Sequence, residues 1–176
     1  MSETFFIGDT HFGHAGIIQF NETKPHRPFD TIEEHDEELV RRWNSVVGKK
    51  DNVWHLGDFC FGARNIAIAG RLNGYKRLVL GNHDHYRAEE YLKYFAKIFG
   101  VVEYNGMVLS HAPLHPNQLK RWYLNVHGHM HTKTVKNWIS DDRFEEDKRY
   151  VNVSCEQINL TPVPLDYIYN KWAQAN

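Results

Sequence analysis

The chain has 176 residues, 41% hydrophobic, 14% aromatic and 24% charged, with 12 glycines and 6 prolines, which excludes disordered, collagen-like and low-complexity classes. That length suits one domain, residues 1–176, with a core of its own. The 21 basic and 22 acidic residues leave a net charge of −1, which gives no broad electrostatic footprint for nucleic acid or an anionic membrane.

In chain order, the first strand signal is Phe5-Phe6-Ile7, too early and too short for a signal peptide. Residues 19–30 are polar and turn-rich and read as a surface loop. Thr31-Ile32-Glu33-Glu34 has the form of a capping box, and Ile32, Leu39, Val40, Trp43 and Val47 follow at helical spacing up to Gly48. Strand signals recur at 52–56, 77–80, 107–109, 123–126 and 150–153, each rich in β-branched or aromatic residues. Residues 63–72 and 87–97 read as further helices, and 132–148 as a long surface loop. Apolar runs alternating with amphipathic stretches make an α/β fold. No run approaches the ~20 apolar residues of a membrane helix. Cys60 and Cys155 form neither a disulfide framework nor a Cys-x-x-Cys pair, so a reducing, cytoplasmic setting without membrane attachment is expected.

The residues that follow the strands carry the chemistry, because open α/β sheets bind ligands beyond the carboxyl ends of their strands. Histidine is over-represented, 12 of 176 residues, and many of these sit there. In order the strand ends read Gly8-Asp9-Thr10-His11, Gly57-Asp58, Gly81-Asn82-His83-Asp84, Ser110-His111 and His127-Gly128-His129-Met130-His131. Carboxylate, amide and imidazole donors without thiolate suit a catalytic divalent metal rather than a structural zinc. At this chain's own residue frequencies, Asp-x-His arises by chance about 0.7 times, Gly-His-x-His about 0.05 times and Gly-Asn-His-Asp about 0.004 times, so the last two carry the inference.

This series resembles the calcineurin-like metallophosphoesterases, and the match runs from residue 8 to 131. The resemblance implies a two-sheet sandwich flanked by helices in four layers, with a two-metal site at the sheet edge. It also implies that Asp9, His11, Asp58 and His131 hold one ion, that Asp58, Asn82, His111 and His129 hold the other, and that Asp58 bridges. Gly57-Asp58 continues as Phe59-Cys60-Phe61, without the acidic or arginine residue of the protein-phosphatase branch, which argues against a phosphoprotein substrate.

Charge arithmetic points the same way. Two cations ~3.5–4 Å apart need a shared anionic ligand, and Asp58 is suited to it. Neutral Asn82 adds a donor without charge, which leaves the pair able to attract phosphate and to acidify a bridging water toward pKa ~7. Manganese, iron or zinc fits this mixed set. His83 is not needed as a ligand and is the expected general acid, with Asp84 fixing its tautomer or else capping the turn. Among the remaining histidines, His14 is near enough to touch substrate. His55 and His35 read as core histidines, and His85, His115 and His127 could line the mouth of the site. Trp138 and Arg143 could stack on a base and pair with phosphate.

The expected function is metal-dependent hydrolysis of a small phosphate ester or nucleotide, with diesters preferred. A nuclease using the same metals would need a basic groove, whereas the Lys and Arg pairs here are scattered. A non-catalytic interaction module of the same fold would tolerate ligand loss, and no ligand position is lost.

Overall fold

The computed structural model describes residues 2–140 and 142–174. Strands β1 (Thr4–Ile7), β2 (Asn52–His55), β3 (Tyr75–Val79) and β4 (Lys97–Phe99) run parallel in that order, and β11 (Val163–Pro164) closes the β1 edge antiparallel. A second sheet has the order β10-β7-β6-β5, built from β5 (Val101–Tyr104), β6 (Met107–Ser110), β7 (Leu124–His127) and β10 (Tyr150–Asn152). Only β5 is antiparallel to its neighbour there. A separate hairpin, β8 (Lys136–Ser140) and β9 (Arg143–Glu146), makes up a two-stranded third sheet.

The strand period of two decides which residues face which layer. Trp54 and Phe6 point to the second sheet and meet the ring of Tyr104 at 5.6 and 5.9 Å. Their neighbour His55 points the other way, where Trp43 of helix α1 (Ile32–Val46) stacks on it at 6.4 Å. The predicted capping box is present: the hydroxyl of Thr31 accepts from the Glu34 N–H at 3.2 Å, and the Glu34 carboxylate accepts from the Thr31 N–H at 3.3 Å. Helix α1 buries Leu39, Val40 and Trp43, so its apolar stripe covers the outer face of the first sheet. The outer face of the second sheet carries Val108 and Tyr150, covered by Leu119 from a 3-10 turn, Pro116–Arg121. The expected sandwich is therefore present, with a thin outer layer on that side.

Register brings the strand ends together. Ile7, His55 and Leu78 are neighbours across the first sheet, and Leu109, Val126 and Val151 across the second. Gly8 ties the two sheets at this edge: its N–H donates to Val153 at 2.8 Å and its carbonyl accepts from Cys155 at 3.1 Å. Every Asp, Asn and His at a strand end thus emerges on one rim.

Several expectations need correction. Residues 63–71 coil as a 3-10 helix, because no side chain caps the Gly62 end and so short a segment gains little from α propagation. In 87–97 only α2 (Ala88–Tyr91) is helical, since the chain must extend again where Ala96 pairs with Lys76 and enters β4. The segment 132–148 contains the β8–β9 hairpin rather than a plain loop. A C-terminal helix α3 (Leu165–Gln174) buries Ile168 and packs near β1 and β11. Among the described residues, no helix is long and apolar enough to cross a membrane.

Candidate metal centre

Each candidate ligand lies within four residues of a strand's end, and the backbone there is bent to aim it. Asp9, His11, Asp58, His129 and His131 all have positive φ, between 49 and 66°, although none is glycine. Such strain clusters at functional sites because the surrounding structure must impose it. Glycines make room for the carboxylates: a Cβ on Gly81 would collide with the Asp58 carboxylate, and one on Gly128 with that of Asp9.

The side chains gather in two clusters, Asp9, His11 and His131 in one and Asp58, His111 and His129 in the other, with donor atoms of each within 4.8 Å of one another. Asp58 Oδ2 lies between them, 3.6 Å from His11 Nε2 and 3.3 Å from His111 Nε2. Asn82 joins the second cluster, its Oδ1 3.0 Å from His111 Nε2, and His129 Nδ1 is 3.1 Å from the same nitrogen. Asp9 Oδ1 is 4.0 Å from both His11 Nε2 and His131 Nε2. The structure thus brings together Asp9, His11, Asp58, Asn82, His111, His129 and His131.

The set fits divalent cations. Both ring nitrogens of His11 are buried with no hydrogen-bond partner, an arrangement that costs free energy unless something else ligates them. Donors bonded to one ion at ~2.1 Å stand about 3–4 Å apart, the spacing found around His11 and Asp58.

Protonation follows from burial and charge. Burial pushes Asp9 up to about 6, offset in part by His111 and His131. Burial lowers His11 well below its ordinary value, which leaves it neutral and able to ligate. Burial also acts to raise Asp58, but the hydrogen bond from His111 and the charges of His111 and His11 outweigh it, so Asp58 stays well below the usual carboxylate range. Burial alone would lower His111; its bond to Asp58 and the charges of Asp9 and Asp58 prevail and hold it at about 9.

Beneath the first cluster is a buried network. Arg27, fully buried, donates Nε to Glu156 Oε1 at 2.7 Å and its terminal nitrogens to the carbonyls of Asp9 at 2.6 Å and Thr10 at 3.2 Å. Its guanidinium also meets His35 Nε2 at 2.7 Å, while His35 Nδ1 faces Asp36 at 2.9 Å and Asp36 accepts from the Gly13 N–H at 2.8 Å. Glu156 Oε1 lies 3.1 Å from His131 Nδ1, which leaves Nε2 to face a cation. In the second cluster the corresponding partner is backbone, His111 Nδ1 lying 2.8 Å from the Leu56 carbonyl.

The other predicted residues separate. His83 stands at the mouth, 39% exposed, its Nε2 4.0 Å from Asp58 Oδ2. His14 stacks on Phe61 at 4.5 Å and lies 5.4 Å from the His11 ring, at the edge of the site as expected. Asp84 is corrected: its oxygens accept from the N–H groups of Asp58, Phe59 and Gly81 at 2.7 to 3.0 Å, so it braces the loop of the bridging carboxylate rather than the ring of His83. Trp138 and Arg143 sit on the exposed hairpin, Arg143 paired with Glu145, and neither lines the cavity at the metal cluster. His127 does not line the mouth either, because it is buried and bonded to the Gly128 carbonyl. His55 is a core histidine, 2.9 Å from the Thr10 hydroxyl, whereas buried His35 serves the Arg27 network rather than apolar packing. Arg27 and Glu156 escaped sequence reasoning. Glu156 follows the sixth strand signal, so reading that strand end like the other five would have found it.

The sequence profile of the calcineurin-like phosphoesterases matches residues 4–172. The chain belongs to that family. The chain is 38% identical to an uncharacterised protein of Methanocaldococcus jannaschii, over 96% of its own length and 90% of that protein's. It is 28% identical to the gene 66 protein of Mycobacterium phage D29, over 81% and 85% of the two chains. Among solved structures, a protein of unknown function from Aquifex aeolicus superposes with a TM-score of 0.70 at 28% identity, covering 97% of this chain and 99% of the other.

Proposed function

We propose that this phosphoesterase hydrolyses phosphate diesters of small molecules, nucleotides among them, with one divalent ion held by Asp9, His11 and His131, a second by Asn82, His111 and His129, and Asp58 reaching both. Two divalent cations supply Lewis acidity toward a phosphoryl oxygen and acidify a water near neutral pH. Manganese, iron or zinc suits the mixed oxygen and nitrogen donors. His83 protonates the leaving oxygen: it is solvent-reachable beside the cluster, and among the described residues its ring has no hydrogen-bond partner to consume the proton.

One observation carries the diester preference. The cavity beside the metal cluster, about 350 Å³, is lined by His11, His14, Phe20, Glu22, His83 and His131 among others, with no Lys or Arg. The nearest arginine in the network, Arg27, is buried and spent on Glu156 and the backbone. A monoester dianion gains from extra cationic side chains, whereas a diester monoanion is neutralised largely by the metals. An alkoxide leaving group also benefits most from an acid such as His83. The test compares kcat/KM for bis(p-nitrophenyl) phosphate and p-nitrophenyl phosphate at one metal and pH. The diester is expected to lead, and a monoester advantage of about tenfold would overturn the preference while leaving the metal centre standing.

A further inference from the structure

Outside the ligand clusters, the rim of this cavity is aromatic. Phe20 is 52% exposed, a large apolar surface to leave in water, and it lies at the cavity rather than at a random surface point. It is also held in place. Its ring meets His14 edge-on at 5.8 Å, and His14 is fixed on its own face by Phe61 at 4.5 Å and 14°. Gly16 permits this packing, since a Cβ there would come within 2.9 Å of the Phe20 ring and 3.1 Å of His14. Buried Ile17 adds an apolar floor, while Asn21 and Glu22 place an amide and a carboxylate at the rim. Glu22 is tied to Lys133 at 3.0 Å.

We propose that Phe20 and Ile17 form a subsite for the nucleobase of a substrate carrying a single phosphate, with Asn21 and Glu22 facing the hydrogen-bonding edge of the base. A flat ring stacks on a preset phenyl face, and such stacking is sequence-tolerant because every base has a π-face. Glu22 and Lys133 neutralise one another at the rim, so no surplus cation is there to receive a second phosphate, and an uncharged ring suits the subsite. The proposal rests on the phosphoesterase reading for where the phosphate sits, and on Phe20 for the base.

The test is calorimetric binding to zinc-loaded protein of two probes that share a phosphate and differ in the base, adenosine 5′-monophosphate and ribose 5-phosphate. The nucleotide is expected to bind about tenfold or more tightly than the sugar phosphate. Phe20→Ala removes that advantage and leaves ribose 5-phosphate binding unchanged, whereas Phe144→Ala on the hairpin changes neither. Phe20 is exposed, so the variant keeps its fold, which its melting midpoint verifies. Equal binding of the two probes, no binding of either, or an advantage that survives in Phe20→Ala overturns the subsite. Hydrolysis of bis(p-nitrophenyl) phosphate alongside such a result leaves the phosphoesterase reading intact. A base advantage lost in Phe20→Ala, without any hydrolysis, sinks that reading and supports the subsite.

Discussion

The cluster of Asp9, His11 and His131 is held from beneath by side chains, Arg27 on the carbonyls of Asp9 and Thr10 and Glu156 on His131. In the cluster of Asp58, His111 and His129 backbone groups meet the donors themselves, the Leu56 carbonyl on His111 and the His83 N–H on Asp58, while the Asp84 carboxylate braces the loop by accepting from the Asp58 N–H. Burial differs as well, since His129 and Asn82 are exposed while Asp9 and His11 are closed off. The contrast teaches that His131 in the first half is oriented by a charged side chain that a substitution can neutralise, whereas His111 in the second is oriented by a backbone carbonyl that no substitution removes.

Asp58 belongs to both halves, so removing its charge erases the difference between them. Asp58→Asn is expected to bring bound metal from about two ions per chain to below one and to abolish hydrolysis, read by elemental analysis and turnover. Two retained ions would show that the bridging assignment is wrong. His83 belongs to neither half. His83→Ala is expected to keep both ions while turnover falls by ~10²–10⁴, and a loss of metal in that variant would make His83 a ligand rather than an acid.

Glu156 sharpens the contrast. Glu156→Gln keeps the shape and the bond to His131 but loses the charge, so metal affinity of the first cluster should fall about 10–100-fold while the second is unchanged. Competition with a chelator, followed by two-site fitting, reads the two separately. Equal weakening of both sites would mean the clusters act as one unit. Burial works to raise Glu156, yet the His131 bond and Arg27 pull it down to about 2, so it remains anionic at any ordinary pH and its charge is always on His131.

The Asp, Asn and His residues that gather at the rim were legible in the sequence because each follows an apolar run and a glycine often stands beside it, a local pattern with a physical reason: Gly81 and Gly128 leave the space that Asp58 and Asp9 fill. The six strands and α1 were legible for the same reason, since their apolar periodicity reports burial. Arg27 was not, because a lone arginine in a polar loop has no pattern, and only tertiary folding carries it beneath Asp9. The β8–β9 hairpin was hidden since Trp138 and Phe144 pair across it without joining the core. Strand β4 was hidden because three residues become a strand only by pairing with β3. Helix α3 was missed, although Leu165, Ile168 and Trp172 recur at helical spacing after Pro164.

The smallest expected effect concerns pH and the second cluster. In the metal-free protein burial disfavours the His111 proton, but Asp58 and Asp9 retain it up to about 9. A raised histidine stabilises the fold fully below its unfolded value of ~6.5, and that contribution is lost as pH rises through about 9. The same proton occupies the nitrogen a cation needs, so binding must expel it. Two opposite trends follow over one window, between pH ~6.5 and about 9: the melting midpoint of chelator-treated protein falls, while divalent-ion affinity at His111 rises about tenfold per pH unit. His11 contributes nothing to this slope, because burial already keeps it neutral. Calorimetric titration in buffers of different ionisation heat counts the protons released on binding. An affinity that stays flat from pH 7 to pH 9, with no proton release, would show that Asp58 does not hold a proton on His111 in the absence of metal.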